Sequence, residues 1–87
     1  MANAVLTEHA RNEIARRELS EQLVHEVLAT PGQCFEVRPG RLVYQSIVDM
    51  PDGGVRSLVR VFVDVDREPP EIVTVYRTSR IDRYWRR

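Results

Sequence analysis

The sequence predicts an α+β domain in which two N-terminal helices pack on one face of a four-stranded antiparallel sheet, in the order ααββββ. Two observations favour this fold. Apolar residues recur at helical spacing as far as Thr30, and from Gln33 onward they alternate with polar residues. Helices followed by a run of strands are typical of a layered fold with the helices on one side of a meander. The other sheet face is expected to be open to water or to a partner.

The chain of 87 residues is long enough for one domain, and we expect a single domain over 1–87. Helices are expected at 7–17 and 21–29, and strands at about 33–38, 41–49, 55–64 and 71–77. Thr7 and Ser20 are the residue types that cap helix N-termini, so each is expected to begin a helix. Pro31 and Gly32 are expected to end the second helix, because proline cannot continue it.

The third predicted strand has the clearest alternation in the chain. Its valines at 55, 59, 61, 63 and 65 share one face, and Arg56, Arg60 and Asp64 share the other. The preceding Pro-Asp-Gly-Gly at 51–54 is a strong turn signal, so the second and third strands should form a hairpin. Residues 78–87 are expected to form a short helix or an extra edge segment.

Composition limits the class of protein and the kind of site. No apolar run approaches the roughly 20 residues that cross a membrane, and the first residues lack the pattern of a signal peptide, so we expect a cytoplasmic protein. Cys34 is the only cysteine, which excludes an intramolecular disulfide and a thiolate zinc cluster. Because the two histidines match no familiar ligand spacing, neither a metal nor another cofactor is expected.

The charges are distributed unevenly along a chain whose net charge is zero. All 13 basic residues are arginines. Residues 74–87 carry five of them, against Asp82 alone, which gives this segment a local charge of +4. A neutral protein can present an anion-binding face in this way.

Three segments together resemble a widespread group of small bacterial domains of unknown function. They are Thr-Glu-His-Ala-Arg at 7–11, Gly-Arg-Leu-Val-Tyr at 40–44 and Thr-Val-Tyr-Arg-Thr-Ser-Arg-Ile-Asp-Arg-Tyr-Trp at 74–85. The resemblance covers roughly residues 6–85. That group is similar in layout to toxins of the RelE/ParE superfamily, particularly the BrnT type.

This resemblance implies a compact fold with helices before the sheet and an antitoxin that wraps the domain. Many members of the superfamily cut messenger RNA, and a separate branch acts on DNA gyrase. The ribonuclease members use basic and aromatic side chains that vary between families, so no catalytic set transfers residue by residue. They are also usually more basic than this neutral chain.

Metal-free RNA cleavage requires a base, cations that stabilise the phosphorane and an acid for the leaving oxygen. The candidate catalytic residues are His9, Arg77 and Tyr84. Imidazole titrates near neutrality, which suits His9 to acid–base work, and a guanidinium can hold a phosphate in a bidentate fork. Alternatively, His9 orients the first helix through a backbone hydrogen bond, and Arg77 forms a salt bridge to Glu8 or Glu13.

Arginines and exposed aromatic side chains are suited to phosphate contacts and base stacking. The candidate nucleic-acid-binding residues are Arg11, Arg17, Tyr44, Tyr76, Arg80 and Arg83. The alternative is that these arginines are solvated and that the aromatic residues, Trp85 especially, complete a small core.

Two functions therefore remain open from the sequence. One is a toxin-like domain of a toxin–antitoxin pair that acts on RNA, as a metal-free ribonuclease or at the ribosome, with its cleft between the first helix and the sheet. Its partners would be RNA and an antitoxin. The alternative is a non-catalytic protein-binding or homodimerising module that uses the open sheet face.

Overall fold

The computed structural model describes residues 3–50 and 53–87, which form the following elements in chain order. They are β1 (Val5–Leu6), α1 (Glu8–Arg16), α2 (Glu21–Ala29), β2 (Gln33–Arg38), β3 (Arg41–Val48), β4 (Ser57–Asp64), β5 (Glu71–Thr78) and α3 (Ile81–Tyr84). The predicted turn at 51–54 lies partly outside the described residues, but β3 and β4 on either side of it pair antiparallel. No helix in the described ranges has the length and apolar character needed to cross a membrane.

The predicted four-stranded antiparallel sheet with two packed helices is wrong. The described residues form a five-stranded mixed sheet in the order β1-β5-β4-β3-β2, together with three helices. The additional strand, β1, runs parallel to β5, with Val5 opposite Glu71 and Leu6 opposite Ile72. Sequence periodicity missed it because two residues cannot display an alternation, and Leu6 also continues the helical spacing of Ala10 and Ile14.

Thr7 joins β1 to α1 and fixes this helix at the sheet edge. Its side-chain oxygen accepts a hydrogen bond from the Ala10 backbone N–H, which confirms the predicted cap. Its own backbone N–H donates to the Ile72 carbonyl at 3.1 Å, and its hydroxyl donates to the same carbonyl at 3.0 Å. Helix α1 therefore begins against β5, which it continues to contact along its length.

The turn between α1 and α2 is made by Glu18 and Leu19. Glu18 has a positive φ of 57°, and the Leu19 N–H donates to the Ile14 carbonyl at 2.9 Å. Ser20 then caps α2, since its side chain accepts from the Leu23 N–H at 3.0 Å. The polypeptide thus reverses between the helices, and both pack on the same face of the sheet.

The hydrophobic core lies between these two helices and the inner face of the sheet. Valines 59, 61 and 63 of β4 are fully buried there, opposite Ile14 and Val24 of the helices. Burial of an aliphatic side chain contributes roughly 1.5–3 kcal/mol. The alternation of β4 therefore places Arg60 and Phe62 on the outer face.

The outer sheet face, which was predicted to be open, is partly covered, and its residues between β4 and β5 remain half-exposed. Helix α3 and the residues after it cross this face from β5 toward β2. The Gln45 side chain donates to the Tyr84 carbonyl at 3.2 Å, and the Arg86 N–H donates to the Gln33 side chain at 3.1 Å. The Trp85 ring lies so close to Gly32 that a Cβ there would be 2.9 Å from it. These contacts fix the C-terminal segment, residues 80–87, on the sheet.

Three carboxylates of the described residues, Glu13, Asp49 and Asp64, have lowered pKa values because arginines donate hydrogen bonds to them. Arg16 lowers the pKa of Glu13 to about 2, from an ordinary value of 4.5. Arg41 lowers the pKa of Asp64, a residue only 5% exposed, through two hydrogen bonds of 2.6 and 3.1 Å. Each carboxylate therefore binds a proton less readily in the folded protein than in the unfolded chain.

Stability should consequently fall as the pH is lowered. A group with a depressed folded-state pKa stabilises the protein above its unfolded pKa and ceases to do so as the pH falls through its folded pKa. For Glu13 this range runs from 4.5 down to about 2. Urea unfolding midpoints measured from neutral pH downward check this expectation. Glu13→Gln and Asp64→Asn should each flatten the acid limb, and an unchanged limb in both would contradict it.

Candidate nucleic-acid interface

A cleft of about 350 Å³ lies on the outer sheet face between β4, β5 and α3. It is formed because Arg60 of β4 lies opposite Tyr76 of β5, and Phe62 lies opposite Thr74. The Tyr84 side chain reaches the cleft from α3, and the side chain of Arg17, the residue that caps the C-terminus of α1, reaches it from the other side. Four separate elements thus contribute to one concave surface.

Two arginines and two tyrosines of the cleft form a row in which the tyrosine rings contact each other and each ring contacts one guanidinium group. We call these residues the arginine–tyrosine cluster: Arg17, Tyr76, Tyr84 and Arg60. The Arg17 guanidinium carbon lies 4.6 Å from the Tyr76 ring centre, and that of Arg60 lies 4.5 Å from the Tyr84 ring centre. The two tyrosine rings meet edge to face, with centres 5.9 Å apart and planes at 76°. Cation–π and edge-to-face contacts of this kind hold the rings and charges in place.

Arg60 is half-buried, and it forms no ion pair with any carboxylate of the described ranges. Its Nε donates to the Gln45 side chain at 2.8 Å, and Gln45 is itself fully buried. Partial burial lowers the pKa of Arg60, but a guanidinium remains charged in a protein. A positive charge that is poorly hydrated and not neutralised by a carboxylate favours an anion at this place.

Arg17 is positioned differently. Its guanidinium lies 3.3 Å from a carboxylate oxygen of Glu13, which also binds Arg16 at 2.9 Å. One carboxylate therefore compensates two arginines. The Arg17 side chain remains over Tyr76, so it can turn toward an anion in the cleft while keeping its aromatic contact.

Tyr76 has a lowered pKa, primarily because Tyr84 forms a hydrogen bond to it. Thr78 acts in the same direction through a further hydrogen bond, as do the positive charges of Arg17 and Arg83. The ionised form of this phenol is therefore stabilised relative to that of a free tyrosine.

His9 lies on the exposed side of α1, at the rim of the cleft. Its Nε2 is 3.3 Å from the Thr74 hydroxyl, which lines the cleft. The side chain thus contacts a residue of the site, whereas the alternative interpretation gave it a backbone partner.

Arg77 lies on the opposite side of the sheet from Tyr84. It faces Val59 across the β4–β5 ladder, on the helix side, and its Nη1 donates to the Arg17 carbonyl at 3.3 Å. The suggested salt bridge from Arg77 to Glu8 or Glu13 is not formed. The structure therefore brings His9 and Tyr84 to one cleft and places Arg77 in a different pocket.

The other candidate nucleic-acid-binding residues fall into three groups. Arg17 and Tyr76 belong to the cluster, Arg83 lies 5.8 Å from the Tyr84 ring centre, and Arg80 is exposed at the start of α3. Arg11 lies outside, in an exposed ion pair of 3.0 Å with Glu21. Tyr44 is only 9% exposed and belongs to the core beneath the helices.

Arg60 is the member of the cluster that the sequence analysis did not select. The alternation of β4 had assigned it to the face opposite the valines. The sequence feature that could have indicated Arg60 is a basic residue between two valines of a buried strand. Its contact with Tyr84 depends on the C-terminal segment crossing that face, which the alternation does not reveal.

Among residues 3–50 and 53–87, no group of three or more histidine, cysteine, aspartate or glutamate side chains is arranged to hold a metal ion. A family model described as "Domain of unknown function (DUF4258)" matches residues 6–77, which include β1 to β5 for nearly their full extent. No curated protein and no solved structure is significantly similar to the chain.

Proposed function

The chain belongs to the family of domains of unknown function DUF4258, and from that premise we propose that it binds single-stranded RNA in the arginine–tyrosine cluster and cleaves it there. The observation that carries the proposal is Arg60, a half-buried cation that no carboxylate of the described residues neutralises and that is held against the Tyr84 ring in an open cleft. A phosphate satisfies the charge, and a base can stack on an exposed phenol ring.

Single-stranded RNA suits this surface better than a duplex. The cleft is small and is formed by rings and guanidinium planes, which stack on bases that are not already paired. Arg80 and Arg83 extend the positive surface beyond the cleft along α3. Of the arginines at 74–87, Arg83 lies beside the cluster, whereas Arg86 lies over the Phe35 ring.

The proposed cleavage uses the neighbouring 2′-hydroxyl of the RNA as the nucleophile. Tyr76, as phenolate, accepts the proton of that hydroxyl while the 2′ oxygen attacks the adjacent phosphorus. Arg17 and Arg60 stabilise the negative charge of the phosphorane. The bond from phosphorus to the 5′ oxygen breaks, and His9 donates a proton to that oxygen. The products are a 2′,3′-cyclic phosphate and a free 5′-hydroxyl.

We further propose an antitoxin as a protein partner, and this part of the proposal depends only on the sequence resemblance of residues 7–11, 40–44 and 74–85, because the layout predicted from that resemblance is not the observed one. The positive charge that lines the cleft supports a mechanism without a metal ion, because it disfavours a cation there. The alternative of a homodimer formed through an open sheet face has less support, since residues of the C-terminal segment lie across that face.

The test compares Arg60→Gln with Arg38→Gln, since both remove one positive charge and Arg38 is an exposed residue at the end of β2. Binding of a labelled single-stranded RNA of about twelve nucleotides is measured by fluorescence anisotropy at low salt. We expect Arg60→Gln to weaken binding by roughly 10- to 100-fold, as the loss of a charge-assisted hydrogen bond implies. Arg38→Gln should remain within about threefold, the change expected from one distant charge.

Cleavage is then followed in EDTA with the same RNA and with a copy that carries a single 2′-deoxy substitution at the cut site. We expect a cyclic phosphate from the first and no cut at that site in the second. Growth arrest on expression of the unpartnered chain, relieved by Arg60→Gln, would extend the result to a toxin. Equal effects of the two variants on binding, or the absence of RNA binding by the wild type, would refute the proposal.

A further inference from the structure

We propose that Arg77, on the helix side of the sheet, forms a second phosphate-binding site. It holds another phosphate of the same RNA strand whose first phosphate is bound in the arginine–tyrosine cluster. This inference rests on the proposed function and names a further part of the same interface. It concerns a pocket that lies across β5 from the cleft. The two sites share Arg17 and no other lining residue.

The pocket has a volume of about 450 Å³ and lies where the C-terminal ends of α1 and β5 meet the start of β4. Its lining residues are Arg16, Arg17, Glu18, Val55, Ser57, Arg77, Thr78 and Ser79. Besides the guanidinium groups, the lining includes the hydroxyl of Ser79, whereas the Ser57 hydroxyl donates to the Val55 carbonyl and the Thr78 hydroxyl bonds to Tyr76. Hydroxyl and guanidinium donors are the groups that proteins use for phosphate oxygens.

Arg77 is half-buried in this pocket, and no carboxylate in the part of the chain that the structure describes forms an ion pair with it. Its Nε donates to the Ser57 hydroxyl over a long 3.5 Å, and its Nη1 donates to the Arg17 carbonyl at 3.3 Å. A guanidinium has five N–H donors, so these contacts use only two. The remaining donors and the uncompensated charge are available to an anion.

The acceptors already present explain how Arg77 is held. Ser57 is only 3% exposed, and its hydroxyl donates to the Val55 carbonyl at 2.9 Å. Its oxygen can therefore only accept from Arg77, which orients the guanidinium from one side. The Arg17 carbonyl orients it from another side. A fixed, partly desolvated guanidinium binds phosphate more strongly than a mobile surface arginine.

Arg17 connects the two sites. Its carbonyl contacts Arg77, whereas its guanidinium lies over Tyr76 in the cluster. Strand β1 pairs with β5 only at Glu71 and Ile72. In the described part of the chain, no strand therefore pairs with this side edge of β5 near Tyr76 and Arg77, where the two pockets lie on opposite faces. A flexible single strand can thus pass around this unpaired side edge of β5 with one phosphate in each pocket.

Glu18 provides a built-in opposing charge. Its carboxylate is exposed at the pocket rim, where it should repel a phosphate. Removing this charge should therefore tighten anion binding at Arg77 and leave the cleft on the outer face unaffected. Phosphate affinity should thus rise when Glu18 is neutralised and fall when Arg77 is neutralised. A purely structural function of Arg77 would not produce these opposite changes in affinity.

The experiment follows arginine Nε–H and backbone amide NMR signals during titration with inorganic phosphate. The signals of Arg77 and Ser79 should shift in the wild type and equally in Arg60→Gln, and they should saturate at lower phosphate in Glu18→Gln. Signals of Arg60 that shift while those of Arg77 stay unchanged would overturn the second site and leave the proposed function intact. If neither set shifts and RNA also fails to bind, both proposals are wrong.

RNA length provides the second measurement. Arg77→Gln should weaken binding of a six-nucleotide RNA by about tenfold and that of a dinucleotide by less than about twofold, because only the longer strand reaches both pockets. Arg77→Lys keeps the charge and should recover part of the loss. If Arg77→Gln lowers the thermal midpoint, the phosphate titration of the folded wild type decides the question. Equal weakening for both lengths would contradict the inference.

Discussion

Tyr76→Phe is expected to lower the rate of RNA cleavage by about 10²- to 10⁴-fold, the contribution that a positioned general base makes. The substitution keeps the ring on which Arg17 lies and removes only the oxygen that accepts the proton. RNA affinity should therefore change by less than about twofold, since one neutral hydroxyl contributes little to binding. Single-turnover cleavage and equilibrium binding, measured separately on the same RNA, distinguish the two effects.

The pH dependence of cleavage tests the same assignment. In a His9→Gln background, where the proton donor is removed, the residual rate should rise with pH below the ordinary phenol pKa of 10, because the pKa of Tyr76 is lowered and the phenolate is the active form. Tyr84→Phe removes the hydrogen bond that contributes most to this shift, so the rise should move to higher pH. Tyr44→Phe, in the core, is the matched control. Full activity of Tyr76→Phe would exclude Tyr76 as the base.

Helices and strands with a repeating pattern of apolar residues could be predicted from the sequence. Elements that exist only because of tertiary contacts could not. The alternating valines of β4 and the Ser20 cap of α2 determine local structure through their own side chains. Strand β1 consists of two residues, and it exists because β5 offers hydrogen bonds at Glu71 and Ile72. Its parallel pairing therefore depends on residues more than sixty positions away.

The candidate site was predicted in part for a related reason. Tyr76 and Arg77 are adjacent, and adjacent residues of a strand point to opposite faces. Grouping Arg77 with Tyr84 assumed that the cleft lay on the helix side. Tyr84 instead lies on the outer face, because Gln45 and Gln33 hold the C-terminal segment there through hydrogen bonds to its backbone. Two glutamines within strands gave no pattern from which this docking could be derived.

The C-terminal segment should also be essential to stability. Ending the chain after Ser79 removes Trp85, whose half-buried ring packs against Gly32, and leaves the fully buried Gln45 without the Tyr84 carbonyl. Truncation of a fully buried tryptophan costs about 3–5 kcal/mol, so a half-buried one contributes less than this to a total stability on the order of 5–10 kcal/mol. We expect a large fall in the urea midpoint and the loss of RNA cleavage, since Tyr84 is removed as well.

Gly32→Ala tests in the full-length chain whether this docking causes the effect. The new methyl group would lie 2.9 Å from the Trp85 ring, so we expect a loss of about 1 kcal/mol in the free energy of unfolding through overpacking. In the truncated chain that ring is absent, and the same substitution should cost much less. The difference between the two values is the coupling energy of Gly32 with the C-terminal segment.

Removal of Arg87 alone, which pairs only with the exposed Asp82, should leave the midpoint unchanged and serves as the control. If Gly32→Ala had equal effects in both chains, the segment would not be docked on the sheet in solution, and the arginine–tyrosine cluster would lose the contact between Arg60 and Tyr84 on which its chemistry depends.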